Sequence, residues 1–160
     1  MEFADDGDVF QKILEHQKKK TFFEEDEVWK IFIQVVRGLH SLHSLKIMHR
    51  DLKSANVFLS KNQIAKLGDM NVSKVAQKGL SYTQTGTPYY ASPEVWRDEA
   101  YDIKSDIWSL GCVTYEMITL KPPFRAEDMQ GLYKKVLKGV YPKISKRYSK
   151  EIQDIVKWLL

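Results

Sequence analysis

The chain has 160 residues, 43% of them hydrophobic, which is enough to bury one core of ordinary size and excludes a disordered tail. Its formal charge is +4, and its longest basic run, residues 18–20, is explained better by a solvated helix end than by a nucleic-acid surface. The single cysteine, Cys112, excludes an internal disulfide, and the apolar runs fall short of the roughly 20 residues that cross a bilayer.

The first element predicted along the chain is a helix over residues 24 to 43. Its first turn is acidic, which suits the positive end of a helix dipole. Apolar side chains then recur at helical spacing and indicate one buried face that includes Trp29, Phe32, Ile33, Val36 and Leu39. Two short apolar stretches, 57–59 and 64–67, follow around a polar turn and predict a β-hairpin.

The second half of the chain begins with residues 68 to 93, which show little periodicity and are typical of a long functional loop. Residues 103 to 119 are apolar almost all round and precede two prolines, so we expect a helix buried in the middle of a helical domain. Two further helices are expected near 127 to 138 and 149 to 160. The chain ends on an apolar, uncapped stretch, which we interpret as a cut rather than a natural stop.

The most specific motif lies between the first helix and the hairpin. Residues 49–56 match H-R-D-L-x-x-x-N at every specified position. Transfer of a phosphoryl group from ATP needs a carboxylate to orient the attacking hydroxyl, a cation near the travelling group, and oxygen ligands for Mg²⁺. Asp51, Lys53 and Asn56 supply these three kinds of group within six residues.

Three further motifs follow in order: Asp69 lies thirteen residues beyond Asn56, residues 92–94 read S-P-E, and residues 106–111 read D-I-W-S-L-G. Together with the first motif they resemble the eukaryotic protein kinases, which carry A-P-E and D-x-W-S-x-G at the last two places. The resemblance implies a protein-kinase-like fold, mainly α with small β hairpins (α+β). It also implies the C-terminal lobe only.

The resemblance extends to one branch of the family. The runs 53–58, 66–69 and 86–94 are most like the NIMA-related kinases, and Lys53 after Asp51 is the form found in serine/threonine kinases. We interpret residues 1–160 as a partial kinase domain. The chain begins at the hinge of such a domain and shows neither the glycine-rich loop nor the V-A-I-K lysine of the N-terminal lobe.

The resemblance implies a role for each matching residue. Asp51 would orient the substrate hydroxyl and accept its proton, Lys53 would steady the phosphoryl group, and Asn56 with Asp69 would hold Mg²⁺. Residues 1–8 resemble the hinge against adenine. The implied ATP-binding residues are Glu2 and Ala4 through their backbones, Asp8 at the ribose, Phe58 under the adenine ring, and Lys53 and Asn56. A plainer interpretation stays open for two of them, namely a helix cap at Asp8 and ordinary strand core at Phe58.

Regulation is implied for the segment that begins at Asp69. Arg50 would form an ion pair with a phosphate on Thr83, while Thr87 would hydrogen-bond to Asp51 and Lys53. Met70 and Asn71 stand where the family has Phe and Gly. Methionine can fill a Phe-sized gap, and asparagine tolerates positive φ. We therefore expect that Asp69 can still bind the metal but that switching between the active and inactive states is altered.

Two functions remain open on the sequence. The first is a serine/threonine protein kinase that transfers the γ-phosphate of ATP, with Mg²⁺, to protein hydroxyls; the second is a non-catalytic pseudokinase-like module or docking lobe. The chain alone is expected to bind MgATP poorly and to be inactive. The resemblance implies protein substrates and microtubule, centrosome or ciliary partners. We expect a cytoplasmic or cytoskeletal protein that contacts neither nucleic acid nor membrane.

Overall fold

The computed structural model describes residues 5–62, 64–68 and 88–160. In these residues the chain is mostly helical with one two-stranded antiparallel sheet, as the sequence predicts. The elements in chain order are α1 Val9–Lys19, α2 Glu25–Ser44, β1 Val57–Leu59, β2 Ala65–Leu67, α3 Pro93–Trp96, α4 Ile103–Thr119, α5 Met129–Lys138 and α6 Lys150–Leu159. No helix in this described part is long and apolar enough to span a bilayer.

Helix α4 lies at the centre of the fold. Thirteen of its 17 residues are buried, which confirms the buried helix predicted there. Gly111 lets α6 approach closely, because a Cβ atom at this position would lie 2.8 Å from Leu160 Cδ2 and 2.9 Å from Leu159 Cβ. Cys112 is fully buried beside it, and burial raises the pKa of its thiol, so the residue is an inert core side chain.

Helix α2 has the predicted bounds within one residue, and its buried face overlaps the predicted one only in part, at Leu39 and at the partly buried Trp29 and Phe32. Its buried side chains are Val28, Ile31, Val35 and Leu39, which pack toward α4 and the hairpin. Ile33 and Val36, predicted to be buried, are 45% and 38% exposed. Apolar residues occupy more than half of the helix circumference, so its periodicity fits two faces, and the partners that the helix packs against decide between them.

The sequence predicts no bounds for helix α1, although residues 18–20 are interpreted as a helix end and a helix cap at Asp8 stays open. The helix begins at Asp8, whose Oδ1 accepts a hydrogen bond from Gln11 N at 2.9 Å, and it ends at Lys20 in the left-handed region. Gln17 then ties this helix to the end of α4 by donating to the Leu120 carbonyl at 2.6 Å. The N-cap residue satisfies one of the backbone donors that a helix start leaves unpaired.

The β-hairpin connects residues 6–8 with the segment that follows the motif of residues 49–56. Strand β1 pairs with β2 in the register Val57 with Leu67 and Leu59 with Ala65. Residues 6–8 run beside the outer edge of β1, where Leu59 N donates to Gly7 O at 2.9 Å. Residues 6–8 therefore lie beside the strand that directly follows the H-R-D-L-x-x-x-N motif of residues 49–56.

Candidate active site

The turn between α2 and β1 brings the three predicted catalytic residues together. Asp51 Oδ2 accepts hydrogen bonds from Lys53 Nζ at 2.9 Å and from Asn56 Nδ2 at 3.2 Å. Asn56 Nδ2 also donates to the Asp51 carbonyl at 2.7 Å, because a 3₁₀ turn over Ser54–Asn56 folds the chain back. The side chains of Asp51 and Lys53 are 31% and 34% exposed, so a molecule arriving from solvent can reach both.

This turn, called the catalytic turn below (residues 49–56), is fastened to α4 by one buried carboxylate. Asp106 has no exposed surface, and its Oδ2 accepts from His49 N at 2.9 Å while its Oδ1 accepts from Arg50 N at 3.0 Å. His43 Nε2 lies 2.8 Å from Oδ2, and Tyr101 OH donates to Oδ1 at 2.6 Å. Bonds to a charged acceptor are about twice as strong as neutral ones, so this carboxylate fixes the turn firmly.

The same bonds explain an unusual backbone angle at Arg50, whose φ is 65°. A non-glycine residue in the left-handed region costs about 1–2 kcal/mol. The hydrogen bond from its backbone N–H to Asp106 helps to offset that cost. Asp106 is the first residue of the D-x-W-S-x-G motif, but the motif alone did not predict that this carboxylate would hold the turn. The match to the motif was the available signal.

His49 lies beneath Asp51 and is fully buried. Its Nδ1 accepts a long hydrogen bond of 3.4 Å from Asp51 N. The ring thus braces the backbone of the turn from the core side, while the carboxylate of Asp51 points toward the surface.

Asp8 and Phe58, predicted at the nucleotide, are neighbours across an isolated β-bridge. The Asp8 side chain caps α1, which is the plainer of its two sequence interpretations. Phe58 is half-buried, and its ring lies so close to Gly68 that a Cβ there would come within 2.5 Å of Phe58 Cε2. A glycine at position 68 therefore lets the backbone pass against the ring immediately before Asp69.

The remaining predicted site residues lie outside the described residues. They are Glu2 and Ala4 at the hinge, Asp69, Met70 and Asn71 at the metal-binding triplet, and Thr83 and Thr87 in the regulatory segment. Among the described residues no three His, Cys, Asp or Glu side chains cluster as metal ligands.

The buried central helix, the small hairpin and the fastened catalytic turn define the C-terminal lobe of a protein kinase domain. The protein kinase domain family matches residues 1–160, and the chain belongs to this family. Its relatives include the serine/threonine-protein kinase Nek5 of Mus musculus, 42% identical over 98% of this chain, and that of Homo sapiens, 41% identical over 99%. A probable serine/threonine-protein kinase nek3 of Dictyostelium discoideum is 42% identical over the whole chain.

The resemblance to the NIMA-related serine/threonine kinases is thereby confirmed. The chain spans only part of each of these relatives, 25% of the mouse Nek5 protein, 23% of the human one and 15% of the Dictyostelium nek3 protein. Activity, substrates and partners of the whole protein are accordingly matters for proposal.

Proposed function

We propose that this chain is part of a serine/threonine protein kinase, which transfers the γ-phosphate of ATP to a Ser or Thr hydroxyl of a protein. The observation that carries the proposal is the geometry around Asp51, where an ammonium and an amide converge on one carboxylate at the surface. Retention of Asp51, Lys53, Asn56 and Asp69 supports it, since a docking surface has no physical need for all four.

The proposed chemistry begins at Asp51. Its carboxylate orients the substrate hydroxyl and accepts the hydroxyl proton as the oxygen attacks phosphorus. Lys53 Nζ has three donors and spends one on Asp51, so the other two are available for the oxygens of the transferring phosphoryl group. A fastened turn keeps both groups aligned before the substrate arrives, which is how positioned groups lower a barrier.

Of the residues proposed for Mg²⁺ and ATP, Asn56, Asp8 and Phe58 lie in the part of the chain that the structure describes. Asn56 donates through Nδ2 to Asp51, which leaves its Oδ1 as the hard oxygen ligand that Mg²⁺ prefers. We assign the metal to Asn56 and Asp69, and the nucleotide to the backbone of Glu2 and Ala4. Asp8 and Phe58 extend this nucleotide site toward the ribose and the adenine ring. Bound Mg²⁺ supplies positive charge that neutralises the phosphate oxygens.

Control of activity is proposed for the segment after Asp69. Arg50 would pair with a phosphate on Thr83, and Thr87 would bond Asp51 and Lys53. Microtubule, centrosome or ciliary partners are proposed on the likeness to NIMA-related kinases alone, and the same likeness supports a cytoplasmic or cytoskeletal location.

A test uses the complete gene product with ATP labelled at the γ-phosphate and three matched peptides that differ only in a central Ser, Thr or Tyr. Label is expected on the Ser and Thr peptides and not on the Tyr peptide. Label on the Tyr peptide alone would contradict the assigned substrate class.

The second candidate is a non-catalytic interaction module, favoured by Met70 and Asn71 in place of Phe and Gly. The variant carrying Met70→Phe and Asn71→Gly separates the two candidates. If the wild type is active and only its basal rate without phosphorylation changes, the triplet tunes switching. If activity appears only in the variant, the natural protein is the non-catalytic module.

A further inference from the structure

Two buried polar side chains, Ser54 and Glu116, meet the partly buried Tyr90 behind the catalytic turn, from distant parts of the sequence. Ser54 Oγ lies 3.0 Å from Tyr90 OH, and Tyr90 OH donates to Glu116 Oε2 at 2.7 Å. Ser54 has no exposed surface and Glu116 is 3% exposed. Burying polar groups is costly unless they bond one another, so this cluster is a specific arrangement rather than incidental packing.

The direction of the hydrogen bonds follows from the donors present. The Tyr90 proton points to the Glu116 carboxyl, so the Tyr90 oxygen is left as the acceptor for the Ser54 hydroxyl. Burial and the nearby Glu116 raise the pKa of Tyr90, so the phenol keeps its proton throughout the physiological range. The Ser54 hydroxyl also lowers the pKa of the Glu116 carboxyl by hydrogen bonding, so Ser54, Tyr90 and Glu116 form one mutually bonded cluster.

Ser54 lies in the sequence between two of the proposed catalytic and metal-binding residues, so the cluster can influence their positions. It follows Lys53 directly and precedes Asn56 by two residues, within the 3₁₀ turn that folds Asn56 onto Asp51. A hydrogen bond to Ser54 therefore restrains the turn that carries the Lys53 ammonium and the Asn56 amide. Asp106 fastens only the first part of the catalytic turn, at His49 and Arg50.

Tyr90 is itself held to α4 at a second point, where the Ser109 hydroxyl shares its one proton between the Tyr90 carbonyl and the Ser105 carbonyl, each 3.0 Å from Ser109 Oγ. Residues 88–92 are thus attached to the central helix through both the backbone and the side chain of Tyr90. Movement of this segment relative to the catalytic turn would break the bond to Ser54. The cluster joins three elements that the proposed reaction needs in fixed register.

We propose that Ser54 is a positioning residue for phosphoryl transfer, which holds the second half of the catalytic turn through Tyr90 and Glu116. The proposal rests on the proposed kinase function. Ser54 does not touch the reacting groups; its hydroxyl fixes the turn on which Lys53 and Asn56 stand. A purely stabilising hydrogen bond would contribute to folding but would leave the rate of the reaction unchanged.

The test compares Ser54→Ala and Tyr90→Phe in the complete gene product with the double variant. Each single variant is expected to lower kcat on the order of tenfold, since small misplacements of aligned groups reduce rates steeply, and to leave KM for ATP within about twofold. The double variant is expected to lose less than the sum of the two single losses, because both side chains belong to one cluster.

Two buried hydroxyls on α4 provide matched controls. Thr114 donates to the Leu110 carbonyl at 2.8 Å and Tyr115 to the Pro142 carbonyl at 3.0 Å, both away from the catalytic turn. Thr114→Val and Tyr115→Phe are expected to lower the melting temperature as much as the test variants while preserving kcat.

The outcomes separate the two proposals. An active wild type whose kcat is unchanged in Ser54→Ala, or falls equally in the two controls, overturns the positioning role alone. Additive losses in the double variant overturn it as well, since Ser54 and Tyr90 would then act independently. A wild type that transfers no phosphate overturns the proposed function, and the positioning role falls with it.

Discussion

The backbone N–H of His49 donates to a carboxylate oxygen of Asp106 at 2.9 Å, across 57 positions of sequence. The acceptor stands on the buried central helix and the donor stands at the start of the catalytic turn. The turn thus derives its conformation from α4 rather than from its own sequence. The polar side chains of this turn are close together in sequence, but its backbone conformation depends on a residue 57 positions away.

Replacement of Asp106 by Asn tests this dependence. The amide would present N–H groups to donors that now meet a carboxylate oxygen, and each donor left unsatisfied costs about 1–3 kcal/mol. We expect Asp106→Asn to lower both the free energy of unfolding and kcat, measured by chemical denaturation and by peptide phosphorylation. Asp102→Asn, on the same helix, is the control, because Asn caps a helix as well as Asp does. Equal effects of the two changes would contradict the anchoring role.

Asp51→Asn tests the proposed proton acceptor. An amide keeps the size of the side chain but cannot accept the hydroxyl proton, so kcat should fall by about 10²–10⁴ while the affinity for ATP changes little. Turnover and nucleotide binding are measured on the same preparation. Asp154 is an exposed residue of α6, and Asp154→Asn should leave both unchanged. A fully active Asp51→Asn variant would remove Asp51 from the mechanism, and parallel loss of turnover and ATP binding would indicate misfolding.

The sequence predicted those parts of the site whose residues are close together along the chain. Asp51, Lys53 and Asn56 fall within six residues, so their chemistry and their proximity could be inferred together. The tether from Asp106 and the link from Ser54 to Tyr90 depend on how α4 packs, which no local pattern contains. Long-range polar contacts were therefore the part that sequence reasoning missed.

The sequence predicted some helices better than others, because it contains no record of which elements pack together. Helix α4 is apolar all round and its burial follows directly from its composition. Helix α1 buries only Val9 and Ile13, so its apolar pattern is weak, and the sequence signalled mainly its two ends, the N-cap Asp8 and the basic residues 18–20. In α2 the pattern identified the helix but not its buried face, because neighbouring elements select among several apolar stripes.

Thr83→Ala tests the proposed regulatory site. Phosphate on Thr83 would pair with Arg50, so removal of the hydroxyl should prevent activation by phosphorylation and leave only basal turnover. Phosphorylation is monitored by mass spectrometry and activity by peptide turnover, with Thr85→Ala as the neighbouring control. Full activation of the Thr83→Ala protein would show that another hydroxyl carries the switch.

Gly111→Ala tests the close contact between α4 and α6. Helix propensity alone favours Ala by roughly 0.5–1 kcal/mol, yet the new methyl would lie 2.8 Å from Leu160 Cδ2 and 2.9 Å from Leu159 Cβ. Overpacking of this kind costs about 1–3 kcal/mol, so we expect a lower free energy of unfolding. Gly131→Ala, where the nearest atoms are 3.1 Å away, should cost less. A stabilised Gly111→Ala variant would mean that α6 shifts freely.

Glu116 makes the stability of the fold depend on pH in a direction that can be measured. Burial raises the pKa of its carboxyl above the ordinary value of 4.5, and the hydrogen bonds from Tyr90 and Ser54 only partly oppose this. A raised carboxyl pKa means that the folded state binds more protons than the unfolded state between the ordinary and the raised value. Stability from this group is therefore largest at low pH and decreases as the pH rises through that window.

Glu116→Gln removes this titration while keeping the size and an acceptor oxygen for Tyr90. We expect the melting temperature of the wild type, taken relative to that of Glu116→Gln, to decrease as the pH rises from about 4.5 toward neutrality. The exposed Glu151→Gln gives the control, whose difference from the wild type should show no such decrease. A relative stability that increases with pH would require a folded-state pKa below 4.5, and with it a Glu116 carboxylate stabilised by more than the hydrogen bonds to Tyr90 and Ser54.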